Sequence, residues 1–321
     1  MDFIKRRILT SIVVFFAAIN LDFFLPRFVP GNAAEIFASG TRLPSSAIVL
    51  LSERFGLNQP LYVQYFLFLK GIFSWPPYFG LSYQYFPNEV SNLIALRLPW
   101  TILLIGSAFF LSFYISYTLA AISSRRHGGR FEFGSLYVSI LFWSTPAFFI
   151  GLILIWIFSV SLGWLPVFGS VGFNVGSGFG LIESVATHAI LPVITLTAVI
   201  FGQNYFVLRG ASQEALRSDY VLAAEARGLK ESAISSGYVL RNSLLPVVSL
   251  TGYAFASILS AVTVIEAVFG YTGVGDLVID GILNRDYPVL EGCFFYMTLI
   301  VIIGGLVGDL VLFKLDPRLR K

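Results

Sequence analysis

A chain of 321 residues that is 56% hydrophobic and only 12% charged, with a mean hydropathy of +0.80, lacks the composition of a soluble domain, which is about a quarter charged. Its net charge of +3 is too small to point to nucleic acid, and its one cysteine, Cys293, excludes a disulfide framework and a Cys-based zinc site. The unit of counting is therefore the membrane span, roughly 20 apolar residues for a ~30 Å hydrocarbon layer.

In chain order, the first apolar segment runs from Ile8 to Leu25 behind Lys5, Arg6 and Arg7. It has the outline of a signal peptide, but it runs into Asn20, Asp22 and phenylalanines with no small-x-small cleavage site. It is expected to be an uncleaved first span. Five more follow: Leu98 to Ile122, Leu136 to Val160, His188 to Leu208, Pro246 to Phe269, and Cys293 to Phe313. Helices are the expected form, because lipid cannot satisfy loose backbone amides. The fold class is thus all-α and polytopic, with six transmembrane helices. A Pro-, Gly- and aromatic-rich segment, Val29 to Arg97, separates the first two spans, and a glycine-rich one, Gly163 to Thr187, precedes the fourth.

Most of the 21 basic residues fall on one side if the N-terminus is cytoplasmic: Lys5–Arg7, Arg125, Arg126 and Arg130, five between Arg209 and Arg241, and Lys314 onward. That bias predicts cytoplasmic termini. It also places inside the cell the one long polar, helix-favouring connector, Asp219 to Val248. Within Leu216 to Leu229, the spacing of Ala223, Ala224 and Gly228 predicts one shared small-residue face for a partner's groove, flanked by Arg217, Asp219, Glu225, Arg227 and Lys230. A solvated loop helix is the plain alternative.

Other chemistries find little support. No G-x-x-x-x-G-K-[ST] occurs, so ATP would have to be hydrolysed by another chain. Ser177 and His188 offer a hydrolase dyad on paper, yet the glycines around Ser177 read as a loop. With two histidines, His127 and His188, metal-ligand spacing is absent and no cofactor is expected. Gln203 and Asn204 in the fourth span, and Glu266 near the outer end of the fifth, are the candidates for lining a polar pathway. Helix–helix hydrogen bonds explain the first two equally well. Capping or snorkelling accounts for Glu266, Asp22 and Asp309. Gly304-x-x-x-Gly308 permits close helix approach.

The connector resembles a known signature. Ala223-Ala224, Gly228 and Leu245-Pro246 are similar to the EAA loop of membrane subunits of binding-protein-dependent ABC importers, and the long spacing from Gly228 to Pro246 resembles the dipeptide/oligopeptide permeases. So do Asp219-Tyr220-Val221, Gly228-Leu229 and Arg241-Asn242-Ser243-Leu244-Leu245-Pro246. Outside the loop, the resemblance extends to Arg6-Arg7, Pro30-Gly31, Gly56 to Tyr65, Leu98-Pro99-Trp100-Thr101, Ser144 to Phe148 and Gly163 to Val167. It continues through Glu266 to Phe269, Arg285 to Val289, and Leu315-Asp316-Pro317-Arg318. Departures are Glu225, Tyr238, Thr272, and Tyr78 before Phe79-Gly80-Leu81-Ser82.

The resemblance implies a type I importer transmembrane domain that is not an enzyme, the first of two non-identical permease subunits. Its partners would be that second permease, two cytoplasmic ABC ATPases, an extracytoplasmic substrate-binding protein and the lipid bilayer, with no nucleic acid. Tyr220, Ala223, Ala224, Arg227, Gly228 and Leu229 would couple to the ATPase. The organisation implied is a tail and first helix (1–28), an extracytoplasmic loop (29–97), a five-helix core (98–313) with a coupling loop at 209–245, and a tail (314–321). The solute implied is a short peptide. Oligosaccharides are the alternative within the class, and an ion-coupled secondary carrier is the alternative outside it.

Overall fold

A computed structural model describes residues 2–28, 58–125, 129–173 and 175–316. The Pro30-Gly31, Gly56-Leu57 and Pro317-Arg318 signatures, and His127, lie outside the described residues. Among the described residues every regular element is a helix: α1 (Asp2–Phe28), α2 (Leu61–Ile72), α3 (Val90–Arg125), α4 (Arg130–Ser144), α5 (Ala147–Leu154, running into a π-helical turn Ile155–Ser161) and α6 (Phe179–Leu216). Then come α7 (Asp219–Ala226), α8 (Glu231–Ile234, with a π-helical turn Ser235–Leu240), α9 (Arg241–Ser249), α10 (Thr251–Phe269), α11 (Val274–Asn284) and α12 (Tyr287–Leu315).

All six expected spans coincide with apolar helix, but only four are continuous: Phe3–Phe28, Val90–Ser124, Phe179–Leu216 and Tyr287–Leu315. The third is broken by 103° between Ser144 and Ala147, and the fifth by 65° between Ser249 and Ala254. Pro146 explains the first break. Its ring disfavours helical backbone in the residue before it, and Thr145 is extended at φ −88°, ψ 129°. Pro246 precedes the second; having no N–H, it cannot bond back to the Asn242 carbonyl. The two helices α2 and α11 were not foreseen as elements.

The chain divides into two units, one comprising Met1–Leu9, Ile102–Tyr271 and Val301–Lys321, the other Thr10–Thr101 and Thr272–Ile300. In the first unit α6 is the central post, packed on α4, α5, α9 and α10. Gly202 permits the closest approach: a Cβ there would lie 2.5 Å from the Ser139 carbonyl of α4. Gly151 of α5 seats the Phe269 ring, and Gly304 of α12 the Phe255 ring of α10. Hydroxyls inside helices return their bonds to their own backbone, as in Thr195 Oγ1 to Leu191 O (2.8 Å), Ser212 to Leu208 (2.7 Å) and Ser243 to Val239 (2.7 Å). That removes the cost of an unsatisfied donor in an apolar setting.

The second unit has a core of Ile19, Phe23, Phe68, Phe79, Ile94, Leu277 and Cys293, so the cysteine is a buried packing residue. Its polar ties join segments far apart in sequence. Buried Asp286 accepts bonds from Ser82 Oγ (2.5 Å), the Gln84 N–H (2.9 Å) and the Val289 N–H (3.3 Å). Thr101 Oγ1 accepts from the Val274 N–H (2.8 Å), satisfying one of the orphan donors that open α11. Arg97 pairs with Asp276 at 2.8 Å. Arg285, at φ +50°, turns the chain from α11 into α12.

Candidate functional site

The polar connector folds as an elbow built from α7, α8 and the π-helical turn after it. Ser218, extended at ψ 150°, starts α7, and Asp219 supplies the acidic first turn favoured by the helix dipole. Val221 and Ala224 face inward, 1% and 2% exposed, into a cluster with Ala215, Ile234 and Val239, against which Leu216, Leu229 and Tyr238 are packed. Tyr220, Leu222, Ala223, Glu225 and Arg227 face outward.

This divides the small-residue face expected from spacing. Ala224 packs against the chain's own elbow, and Ala223 lies on the exposed side. Gly228 also has a task within this chain. It stands at φ +73°, and a Cβ there would meet nothing within 4 Å. What it permits is a helix stop: the Gly228 N–H bonds the Glu225 carbonyl (2.8 Å) and the Leu229 N–H bonds Ala224 (3.3 Å). Those two bonds, with Leu229 folded over Ala224, make a Schellman C-cap. The exposed knob therefore ends in a fixed geometry.

Beneath the elbow lies a polar cluster that sequence reading missed. Glu132 of α4, 1% exposed, pairs with Arg209 of α6 at 2.7 Å and also accepts from Gln213 Nε2. Ser124 of α3 and Ser235 of the π-helical turn share a hydrogen bond of 2.6 Å. These contacts bind α4 to the last turns of α6, which lead directly into the knob. The signal available was one acidic residue, Glu132, at the start of a largely apolar helix.

The pathway candidates lie on two helices, Gln203 and Asn204 on α6 and Glu266 on α10. Asn204 donates to Ser112 Oγ of α3 at 3.2 Å, which is the helix–helix bond entertained for it. Gln203 is half-buried on the same helix, and Glu266 is fully buried in α10. Asp309 pairs with Arg7 at 3.3 Å. Asp22, expected to cap or snorkel, is instead buried in the second unit, and Asn20 bonds the Tyr65 hydroxyl at 2.8 Å. His188 Nδ1 is held by the Ser184 carbonyl of its own helix at 2.7 Å, and Ser177 is exposed on the preceding loop. Among the described residues no group of three His, Cys, Asp or Glu side chains could hold a metal.

In the second unit, burial shifts several groups that lie outside the spans. It raises the Asp286 carboxyl above the usual range, outweighing the hydrogen bonds from Ser82 and backbone that lower it. It raises Asp276 despite Arg97. Tyr85 is pushed up to about 12 by burial and by its bond to Asp280, against the nearby Arg97. These are structural ties between loop and helix, not acid–base machinery.

Comparison with known proteins agrees with this architecture along the whole chain. The family described as "Binding-protein-dependent transport system inner membrane component" matches residues 116–321, and its N-terminal counterpart matches residues 1–105. The chain is similar to the oligopeptide transport system permease protein OppB of Haemophilus influenzae, 32% identical over 100% of this chain and 99% of that protein. It is also 32% identical to the oligopeptide permease AppB of Bacillus subtilis, over 99% of each chain. To the di/tripeptide permease DppB of Pseudomonas aeruginosa it is 31% identical, over 100% of this chain and 99% of that one. With these matches and its apolar helices, the chain belongs to the inner-membrane components of binding-protein-dependent transport systems, a multi-pass membrane subunit of an ABC importer and not itself an enzyme.

Proposed function

We propose that this permease carries short peptides, and that the α7 knob is where an ATPase subunit grips it. The full-length similarity to proteins named as oligopeptide and di/tripeptide permeases supports the solute class. The observation that carries the coupling role is the knob itself: Tyr220, Ala223 and Arg227 exposed on a helix whose inner face is packed and whose end is fixed by Gly228. A partner that moves α7 would move the elbow core and, through Glu132–Arg209, the inner ends of α4 and α6.

In this reading a second permease completes the pathway, two ATPases drive it from the cytoplasm, and a binding protein delivers the peptide from outside. The bias of the basic residues supports a cytoplasmic location for both termini and the knob. ATP-bound and nucleotide-free ATPase pairs must then prefer different conformations of the permease, since a ligand shifts an equilibrium only by its differential affinity.

The test is import of a labelled tripeptide into liposomes holding the assembled importer and its binding protein. Uptake should require ATP and should fall at least tenfold in Ala223→Trp. Uptake by the chain alone without ATPase would refute the coupling reading. ATP-driven uptake of an oligosaccharide but of no peptide would refute the solute class.

A further inference from the structure

The second unit contains a cavity of about 500 Å³ lined by Arg27 at the end of α1, by Gln64, Leu67, Phe68, Lys70 and Ser74 of α2 and the turn after it, and by Tyr78, Tyr83 and Glu291. Its two cations differ. Arg27 is fully engaged: its guanidinium bonds the Glu291 carboxylate and the Phe23 carbonyl (2.7 Å) and lies 3.6 Å over the Phe23 ring. Glu291 offsets that charge. Lys70 is exposed and makes no hydrogen bond or ion pair among the described residues. Among the described residues Lys70 is therefore the lining cation without an anionic partner.

Its surroundings are apolar in an unusual way. Helix α2 buries Phe68, Gly71 and Ile72, yet its opposite side exposes Tyr62, Phe66 and Leu67, followed by Phe73 and Trp75, the last at 94%. Lys70 is the only charged residue in the helix. A helix apolar on its outer face, ending in exposed Trp and Tyr beside the last turn of a span, matches a segment lying in the bilayer interface.

We propose that this cavity holds the phosphate of an anionic phospholipid, with Lys70 as its cationic contact and the acyl chains lying along the exposed apolar side of α2. A cation at headgroup depth meets phosphate there, and the apolar rim around Lys70 favours a lipid over a free anion. The cavity belongs to the second unit and the α7 knob to the first, and the proposal is tested without transport.

The experiment titrates the delipidated full-length protein in detergent and reads bound adducts by native mass spectrometry. The probes are phosphatidylglycerol, diacylglycerol, glycerol phosphate and a zwitterionic tripeptide. Phosphatidylglycerol should bind Lys70→Ala about tenfold more weakly than wild type, the scale of one hydrogen bond to a charged group. Lys70→Arg should retain binding, and diacylglycerol should show no difference between variants. Equal phosphatidylglycerol binding by wild type and Lys70→Ala overturns the proposal. So does glycerol phosphate binding as tightly as the lipid, which makes this a free-anion site, or displacement of the lipid by the tripeptide at a lower concentration.

Discussion

Replacing Gly228 by alanine isolates the backbone requirement of the knob from its surface. A Cβ at this position has open space around it, so steric contact contributes nothing. The cost comes from φ +73°, where an L-residue other than glycine loses about 1–2 kcal/mol. That corresponds to a roughly 5–30-fold shift toward opening of the cap, which consists of two bonds, Gly228 to Glu225 and Leu229 to Ala224. Hydrogen exchange by mass spectrometry on the protein in nanodiscs reads those two amides directly. Exchange across residues 225–230 should rise about 5–30-fold in Gly228→Ala. It should rise less in Gly228→Asn, because asparagine tolerates the left-handed region better. Transport should fall with it, since a partner that needs the ordered knob finds it in a smaller fraction of molecules. Unchanged exchange in Gly228→Ala would refute the C-cap argument. Unchanged exchange together with lost transport would move the role of Gly228 to the partner's surface.

Neighbouring substitutions should separate folding from docking. Ala224→Phe overfills the elbow core and should lower stability by about 1–3 kcal/mol in thermal unfolding, whereas Ala223→Phe should leave the melt unchanged and reduce transport-coupled ATPase activity. Glu132→Leu leaves the partly buried Arg209 without its carboxylate and should cost up to about 3 kcal/mol. The double variant Glu132→Leu with Arg209→Met should recover most of that, and a double variant no more stable than the single would refute the pairing. Asp286 gives a pH test. Its native carboxyl holds a proton more tightly than the unfolded one, so stability declines as pH rises from about 4 through the raised native value and is level above it. In Asp286→Asn the decline across that window should flatten; a melt with the same pH slope as wild type would refute it.

What local pattern could reveal, the sequence did reveal. Six apolar runs marked four continuous apolar helices and two bent helix pairs, because a bilayer imposes length and hydrophobicity on each helix separately, without reference to its neighbours. Pro146 and Gly228 could be noted as special because each acts on its own stretch of backbone, although the 103° break and the left-handed cap became visible only in three dimensions. Ala223 and Ala224 show the limit of spacing arguments. Adjacent residues point about 100° apart on a helix, and which of them faced the protein depended on where Ile234 and Val239 folded back.

The same holds for Ser82 with Asp286, Thr101 with Val274, and Glu132 with Arg209. Each pair joins residues dozens to hundreds of positions apart, and a single sequence carries no term linking them. By itself the sequence determined a membrane-spanning chain, its family likeness and the location of its polar connector. Only the tertiary structure decided which side of the connector is exposed, which charges are buried together, and that the segment before the second span folds into a helix beside a basic cavity. Hydrophobic periodicity is local, whereas hydrogen-bond and ion-pair partners are chosen by packing.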